Sequence, residues 1–180
     1  MDKNTKFIED VFNGFDNFTN RKECFAIRGV EISGKYDDYI TSPLPDERLK
    51  KEWDKIEKNT PIPLPEDYKA LFSVFGGGWI EDHRENYMIF PYISFWTWDD
   101  IVFFNDLSIE EFWQECPHML PFGDEAGDRF YIYGEGPEGT GIYYCEFGCG
   151  YYMDSMVKLA DSFTELFTDK DTQEKAKNAL

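Results

Sequence analysis

Few residues in this sequence could carry out chemistry. Cys116 and His118 are the closest pair of a thiol and an imidazole, the groups that a nucleophilic mechanism uses as attacking group and general base. Neither a third residue that would orient the imidazole nor an oxyanion-hole motif accompanies them, and the other histidine, His83, is distant in the sequence. We therefore predict that the protein has no catalytic residues and is not an enzyme.

The patterns typical of metal and phosphate sites are incomplete. Cys145 and Cys149 lack the CxxC spacing and the second ligand pair of a structural zinc site. The acidic residues 124–128 lack the DxDxDG calcium loop and instead fit a turn with Gly127 at positive φ. The glycines at 76–78 follow a predicted helix, whereas a phosphate-binding loop precedes one. We expect neither a metal nor an organic cofactor.

The charge balance selects among classes of partner. The chain has 36 acidic and 18 basic residues among its 180, which gives a formal net charge of −18. Such a field repels nucleic-acid phosphates and anionic membranes, and it attracts basic proteins. The alternative is that the acidity only keeps an aromatic-rich surface soluble. We predict a protein partner and no direct binding of nucleic acid or membrane.

Tryptophans stand beside acidic residues in two stretches after residue 78. Tryptophan is a favoured interface anchor, and neighbouring carboxylates would complement the lysines and arginines with which a nuclease holds phosphates. The alternative is that the aromatic side chains fill the core while the acids form an ordinary solvated face. The candidate partner-binding residues are Trp79, Glu81, Asp82, Trp96, Trp98, Asp99 and Asp100.

The elements that would position these residues begin with a helix in the stretch LPEDY at residues 64–68. Pro65 suits the first helical position, and Glu66 and Asp67 place negative charge at the positive end of the helix dipole. The glycines at 76–78 favour a sharp helix end. An apolar stripe at helical spacing marks a face that packs in the core. It consists of Tyr68, Leu71, Phe72 and Phe75.

Three further helices and a series of strands are predicted. Asp46 can cap a helix that carries Trp53 and Ile56, and Ser with Glu three residues later indicates helices after Ser108 and Ser162. Aromatic and β-branched runs separated by turn residues favour strands. The predicted strands cover residues 79–80, 87–90, 93–98, 101–104, 130–133, 141–147 and 151–157.

The chain lacks the apolar run of a signal peptide and any apolar stretch of about eighteen residues, the length that spans a membrane. These features predict a cytoplasmic protein. Structural disulfides are rare in that compartment. We therefore expect reduced, mostly buried thiols at Cys24, Cys116, Cys145 and Cys149.

Three motifs in order resemble the SMI1/KNR4 superfamily, also called SUKH. They are the LPEDY helix with its glycine exit, the sequence LPFGDEAGDRFYIY at residues 120–133, and ADSFTELF at residues 160–167. The resemblance covers roughly residues 46–168. It implies a single α+β domain in which a mixed, mostly antiparallel sheet is flanked by helices. Residues 1–45 would be an extension packed on the domain 46–168, and residues 169–180 a charged tail.

The resemblance also carries an expectation of function. Many bacterial members of this superfamily resemble immunity proteins that neutralise a cognate polymorphic toxin, very often a nuclease, so we predict a basic nuclease domain as the partner. The alternative is a regulatory scaffold like the fungal members, which act in cell-wall synthesis. An enzyme or small-molecule binder is a third possibility, which a pocket with a strongly perturbed carboxylate or cysteine would favour.

Overall fold

The computed structural model describes residues 46–75, 78–81, 92–104, 107–125, 129–146 and 152–179. These residues form helices and strands that alternate irregularly along the chain. The helices are α1 (Asp46–Asn59), α2 (Glu66–Phe75), α3 (Trp98–Val102), α4 (Ile109–Glu115), α5 (Tyr152–Ser155), α6 (Phe163–Thr168) and α7 (Lys170–Ala179). The strands are β1 (Gly78–Glu81), β2 (Tyr92–Phe95), β3 (Phe103–Phe104), β4 (Leu107–Ser108), β5 (Met119–Glu125), β6 (Arg129–Gly136), β7 (Gly139–Glu146) and β8 (Val157–Ala160).

One sheet organises the fold. Its six strands lie in the order β1-β2-β5-β6-β7-β8, and each pairing between neighbours is antiparallel. Strands β3 and β4 form a separate two-stranded ribbon. The predicted α+β class, with a mostly antiparallel sheet and flanking helices, is confirmed.

Ring contacts of β6 show that helices cover both faces of the sheet. Phe130 and Tyr131 are adjacent, so their side chains point to opposite faces. The Phe130 ring lies 6.4 Å from Phe112 of α4 and 5.7 Å from Tyr152 of α5. Tyr133, which shares the face of Tyr131, lies 5.6 Å from Phe163 of α6. Burial on both faces explains why β5, β6 and β7 are nearly continuous runs of buried residues instead of alternating ones.

The predicted apolar stripe of α2 packs in this core. Tyr68, Leu71 and Phe72 are almost fully buried, as expected. The ring of Tyr68 lies 5.2 Å from Phe163 and 5.9 Å from Phe122, so α2 contacts both α6 and β5. Helix α2 begins at Glu66, one residue later than predicted. Pro65 directly precedes the helix, and its carbonyl accepts the first backbone hydrogen bond, from the N–H of Lys69.

Asp67 joins α2 to α6 by hydrogen bonds. Its Oδ1 accepts the N–H of Tyr68 at 3.0 Å, and its Oδ2 accepts the N–H and the hydroxyl of Thr164 at 2.8 and 3.0 Å. Thr164 lies in the first turn of α6, whose backbone N–H groups have no partner within the helix. The acidic residue predicted to favour its own helix dipole therefore also satisfies the start of a second helix.

Three predicted strands, 93–98, 101–104 and 151–157, are partly helical. Residues 98–102 form α3, because Thr97 and Asp100 make a reciprocal capping box that starts a helix there. Residues 152–155 form the short helix α5, and the strand follows it at β8.

The segment predicted as a charged tail forms α7, which buries Thr172 and Ala176. The carbonyl of Ala179, at the end of α7, accepts the hydroxyl of Tyr144 at 3.1 Å.

Several predictions fall outside the described residues. They concern the extension 1–45, the strand 87–90, the glycines at 76–77 and the turn at 126–128. The thiols of Cys24 and Cys149 also fall there. Cys116 and Cys145 are buried thiols, as expected.

The hydroxyl of Tyr68 gives a test of the core. Among the described residues it is a buried side-chain polar atom without a hydrogen-bond partner, and burial raises the pKa of this phenol, so it stays protonated. An unpaired buried polar group costs about 1–3 kcal/mol, so Tyr68→Phe should leave the free energy of unfolding unchanged or raise it by about 1 kcal/mol. Urea denaturation measures the change.

Tyr131→Phe is the matched control. This equally buried tyrosine donates its hydroxyl to Glu125 Oε2 at 3.1 Å. Its replacement should lower the free energy of unfolding by about 1–2 kcal/mol, because the carboxylate loses a buried donor. Equal losses for the two variants would show that the Tyr68 hydroxyl has a partner.

Candidate partner-binding face

An excursion of the chain between two neighbouring strands carries four of the seven predicted contact residues, Trp96, Trp98, Asp99 and Asp100. The chain leaves β2 after Phe95, which pairs with Gly123 of β5, and the backbone N–H of Trp96 still donates to the carbonyl of Phe122 at 2.9 Å. Between these points it forms α3, the β3–β4 ribbon and α4. The excursion therefore begins and ends at one place in the sheet.

Glu52 of α1 anchors the start of α3. Its side chain is buried, and Oε2 accepts the backbone N–H of Trp98 at 3.0 Å. Oε1 accepts Lys55 Nζ at 3.0 Å. Since the carboxylate has both a cation and a helix N–H, its burial is compensated.

The first turn of α3 presents two carboxylates to solvent. Asp100 accepts the N–H and the hydroxyl of Thr97 at 2.8 and 2.7 Å, which completes the capping box. The side chain of Asp99 is 81% exposed, and it lies 3.5 Å from Lys55 Nζ. The pKa of Lys55 is raised, first by its hydrogen bond to Glu52 and less by the charge of Asp99. An exposed pair of this kind contributes little to stability, so Asp99 can contact a partner at low cost.

Helix α4 continues the acidic surface. The predicted capping box is confirmed: the carboxylate of Glu111 accepts the N–H and the hydroxyl of Ser108 at 3.0 and 3.1 Å. These donors lower the pKa of Glu111, so its negative charge persists at lower pH. Ile109 and Phe112 are buried, whereas Glu110 and Glu111 are exposed. The helix thus presents its acids outward and its apolar residues to the sheet.

The two tryptophans of the excursion that were predicted to contact a partner are mostly inside. Trp96 is only 7% exposed, and its Nε1 donates to Asp124 Oδ2 at 2.5 Å. Trp98 is partly buried against the core. The alternative that these aromatic side chains fill the core therefore fits Trp96 well, and little of its surface can contact a partner.

The other predicted contact residues lie at β1 or beyond it. Trp79 and Glu81 are in β1, where they pair with Ser94 and Tyr92 of β2. Asp82 lies outside the described residues. The structure brings Trp96, Trp98, Asp99 and Asp100 together at the excursion, and contact of any of the seven residues with a partner stays a prediction.

Sequence reasoning missed Phe103. Its side chain is 71% exposed, which makes it the exposed large hydrophobic residue of the part of the chain that the structure describes. It follows α3 directly and pairs with Ser108, the cap of α4. The exposure of Phe103 could not be predicted, because the run from Ile101 to Phe104 has the composition of an ordinary buried strand. Phe103 and its exposed acidic neighbours are called the α3–α4 face, which consists of Asp99, Asp100, Phe103, Glu110 and Glu111.

The thiol considered for catalysis is inaccessible. Cys116 is fully buried at the end of α4, while His118 is exposed. Burial raises the pKa of the Cys116 thiol to about 12, so it stays protonated and is a poor nucleophile. The described ranges contain no group of three or more residues that could hold a metal ion. Cys149 and His83 lie outside those ranges.

The family comparison covers most of this architecture. Residues 49–169, from α1 to the end of α6, match the SMI1 / KNR4 family (SUKH-1). The chain belongs to the SMI1/KNR4 family. A search of curated proteins found no match. Membership supports an immunity-like or other binding function of the SMI1/KNR4 kind.

None of the described helices of this SMI1/KNR4 protein is both long and apolar enough to cross a bilayer.

The anchoring of α3 by Glu52 can be tested by substitution. Glu52→Ala leaves the N–H of Trp98 and the ammonium of Lys55 without this acceptor, so the free energy of unfolding should fall by about 1–3 kcal/mol. Glu57→Ala is the control from the same helix, because Glu57 also pairs with a lysine, Lys69 at 2.9 Å, but is exposed. It should cost about 1 kcal/mol or less. Urea denaturation followed by tryptophan fluorescence compares them, and equal losses would contradict the anchoring role.

Proposed function

We propose that this protein is a non-enzymatic immunity protein that acts in the cytoplasm and neutralises a cognate polymorphic toxin. Its partner would be a basic nuclease domain. Membership of the SMI1/KNR4 family supports a binding role. The observation that carries the rest is the exposed, acidic α3–α4 face, because a nuclease surface built to hold phosphates is positively charged.

The proposed mechanism is occlusion combined with electrostatic attraction. The net charge of −18 steers a basic partner toward this protein, and it accelerates encounter at low ionic strength. Salt screens this long-range attraction over about 10 Å at 0.1 M, so association should slow as salt rises. Bound at the substrate groove, the protein would compete with the phosphate backbone through its own carboxylates.

The proposed contact residues differ in how much surface they offer. Asp99 and Asp100 are exposed, and Trp98 is partly exposed. Trp96 would contribute mainly by supporting the excursion from inside, through its hydrogen bond to Asp124. Trp79, Glu81 and Asp82 extend the proposal to the neighbourhood of β1.

Co-expression tests this function. The full-length chain is expressed together with the C-terminal domain of a large secreted protein encoded by the neighbouring gene, and cell survival and complex formation are measured at 0.15 M salt. We expect survival and a stable complex, because occlusion of the active site abolishes toxicity. The variant D99K/E110K should reduce protection, since it reverses two exposed charges of the α3–α4 face.

The matched control reverses two exposed charges elsewhere. E174K/D171K lies on α7 and changes the net charge equally. It should retain protection, apart from a small loss of steering. Toxicity without a complex would contradict this pairing and would favour the regulatory-scaffold alternative.

A further inference from the structure

The α3–α4 face combines an exposed aromatic ring with a field of a single sign. Between Arg84 and Arg129 the sequence contains ten aspartates and glutamates and neither lysine nor arginine. The excursion lies within this interval, so it contains no lysine or arginine that could neutralise its acidic residues. Among the described residues, Lys55 of α1 brings a positive charge close to the excursion. Its ammonium group already pairs with the carboxylates of Glu52 and Asp99.

The backbone of Phe103 lies close to the residues that carry these charges. Asp99 and Asp100 belong to the five-residue helix that ends just before Phe103. Phe103 also pairs with Ser108, whose N–H and hydroxyl are bound by the carboxylate of Glu111. The capping boxes hold Asp100 and Glu111 in fixed positions, so these two carboxylates are preorganised beside the exposed Phe103.

A second copy of this chain is a poor occupant for the face. Two molecules that each carry a net charge of −18 repel each other, and the repulsion is greatest where acidic surfaces meet. Nucleic acid is repelled for the same reason. A basic protein segment is attracted by the carboxylates and can bury the ring, which is the chemistry of an interface anchor within a charged rim.

We propose that Phe103 is the apolar anchor of the α3–α4 face, and that this face binds a protein segment in which an apolar side chain is flanked by lysine or arginine. This inference deepens the proposed function, on which it rests for the assumption of a protein partner. Burial of the ring supplies short-range affinity, and this contribution is insensitive to salt because the ring carries no charge. The carboxylates supply register and speed of association.

Selection of peptides tests the proposal without any toxin. A phage-displayed library of random linear peptides is selected on the immobilised full-length protein, and the enriched peptides are synthesised for calorimetric titration. We expect sequences that combine basic residues with an aromatic or aliphatic residue. Phe103→Ser should weaken their binding about tenfold or more, as expected for loss of an anchor. Phe103→Leu, which stays apolar, should lose less.

Charge variants provide the second arm. D99K/E110K reverses two carboxylates of the face and should weaken peptide binding about tenfold or more at 0.15 M salt. E135K/E138K reverses two exposed carboxylates at the β6–β7 hairpin and should change binding about threefold or less. Circular dichroism and thermal unfolding verify that each variant is folded.

Two results would overturn the proposal. One is peptides that bind Phe103→Ser as tightly as the unmodified protein, and the other is a selection that enriches no peptide. Either result leaves the co-expression test untouched, because protection could use another surface. Failure of protection, in turn, leaves the peptide result valid, so the two failures can be distinguished.

Discussion

Asp67 ties together two helices that are 97 residues apart in the sequence, and the arrangement of both around the sheet depends on this tie. One carboxylate satisfies its own helix and the exposed first turn of α6. The adjacent Tyr68 packs on Phe163 of the same helix and on Phe122 of β5. These exposed hydrogen bonds hold the start of α6 beside α2, and the rings of Tyr68, Phe122 and Phe163 are buried next to them. The LPEDY motif therefore reflects how α2 packs against α6 and β5.

Much of this architecture is predictable from sequence because local rules and tertiary packing agree. The α4 helix begins where Ser108 and Glu111 form a capping box, and α2 buries Tyr68, Leu71 and Phe72 as their spacing indicates. Predictions failed where composition and local hydrogen bonds disagreed. The aromatic run that contains α3 favours a strand, but Thr97 and Asp100 start a helix with aspartate in place of the usual glutamate.

The candidate face was predictable only in part. Its charges are evident in the sequence, but the sequence does not show which aromatic side chains are exposed, since tryptophan and phenylalanine suit both core and interface. Trp96 and Phe103 are examples. Trp96 is buried and donates a hydrogen bond to Asp124, whereas Phe103 is exposed. The tie between Asp67 and Thr164 could not be foreseen either, because its partners belong to different ends of the domain.

The excursion leaves β2 after Phe95 and returns in β5, which already pairs with β2, so the register of these two strands does not depend on the length of the segment between them. The cost of closing a loop grows only slowly with its length. A lineage could therefore vary the length and the exposed residues of the α3–α4 segment while the register of β2 and β5 stayed in place, provided that Ile101, Ile109 and Phe112 remained apolar and buried. Within this segment the buried residues are constrained by folding, whereas the exposed residues are free to diversify.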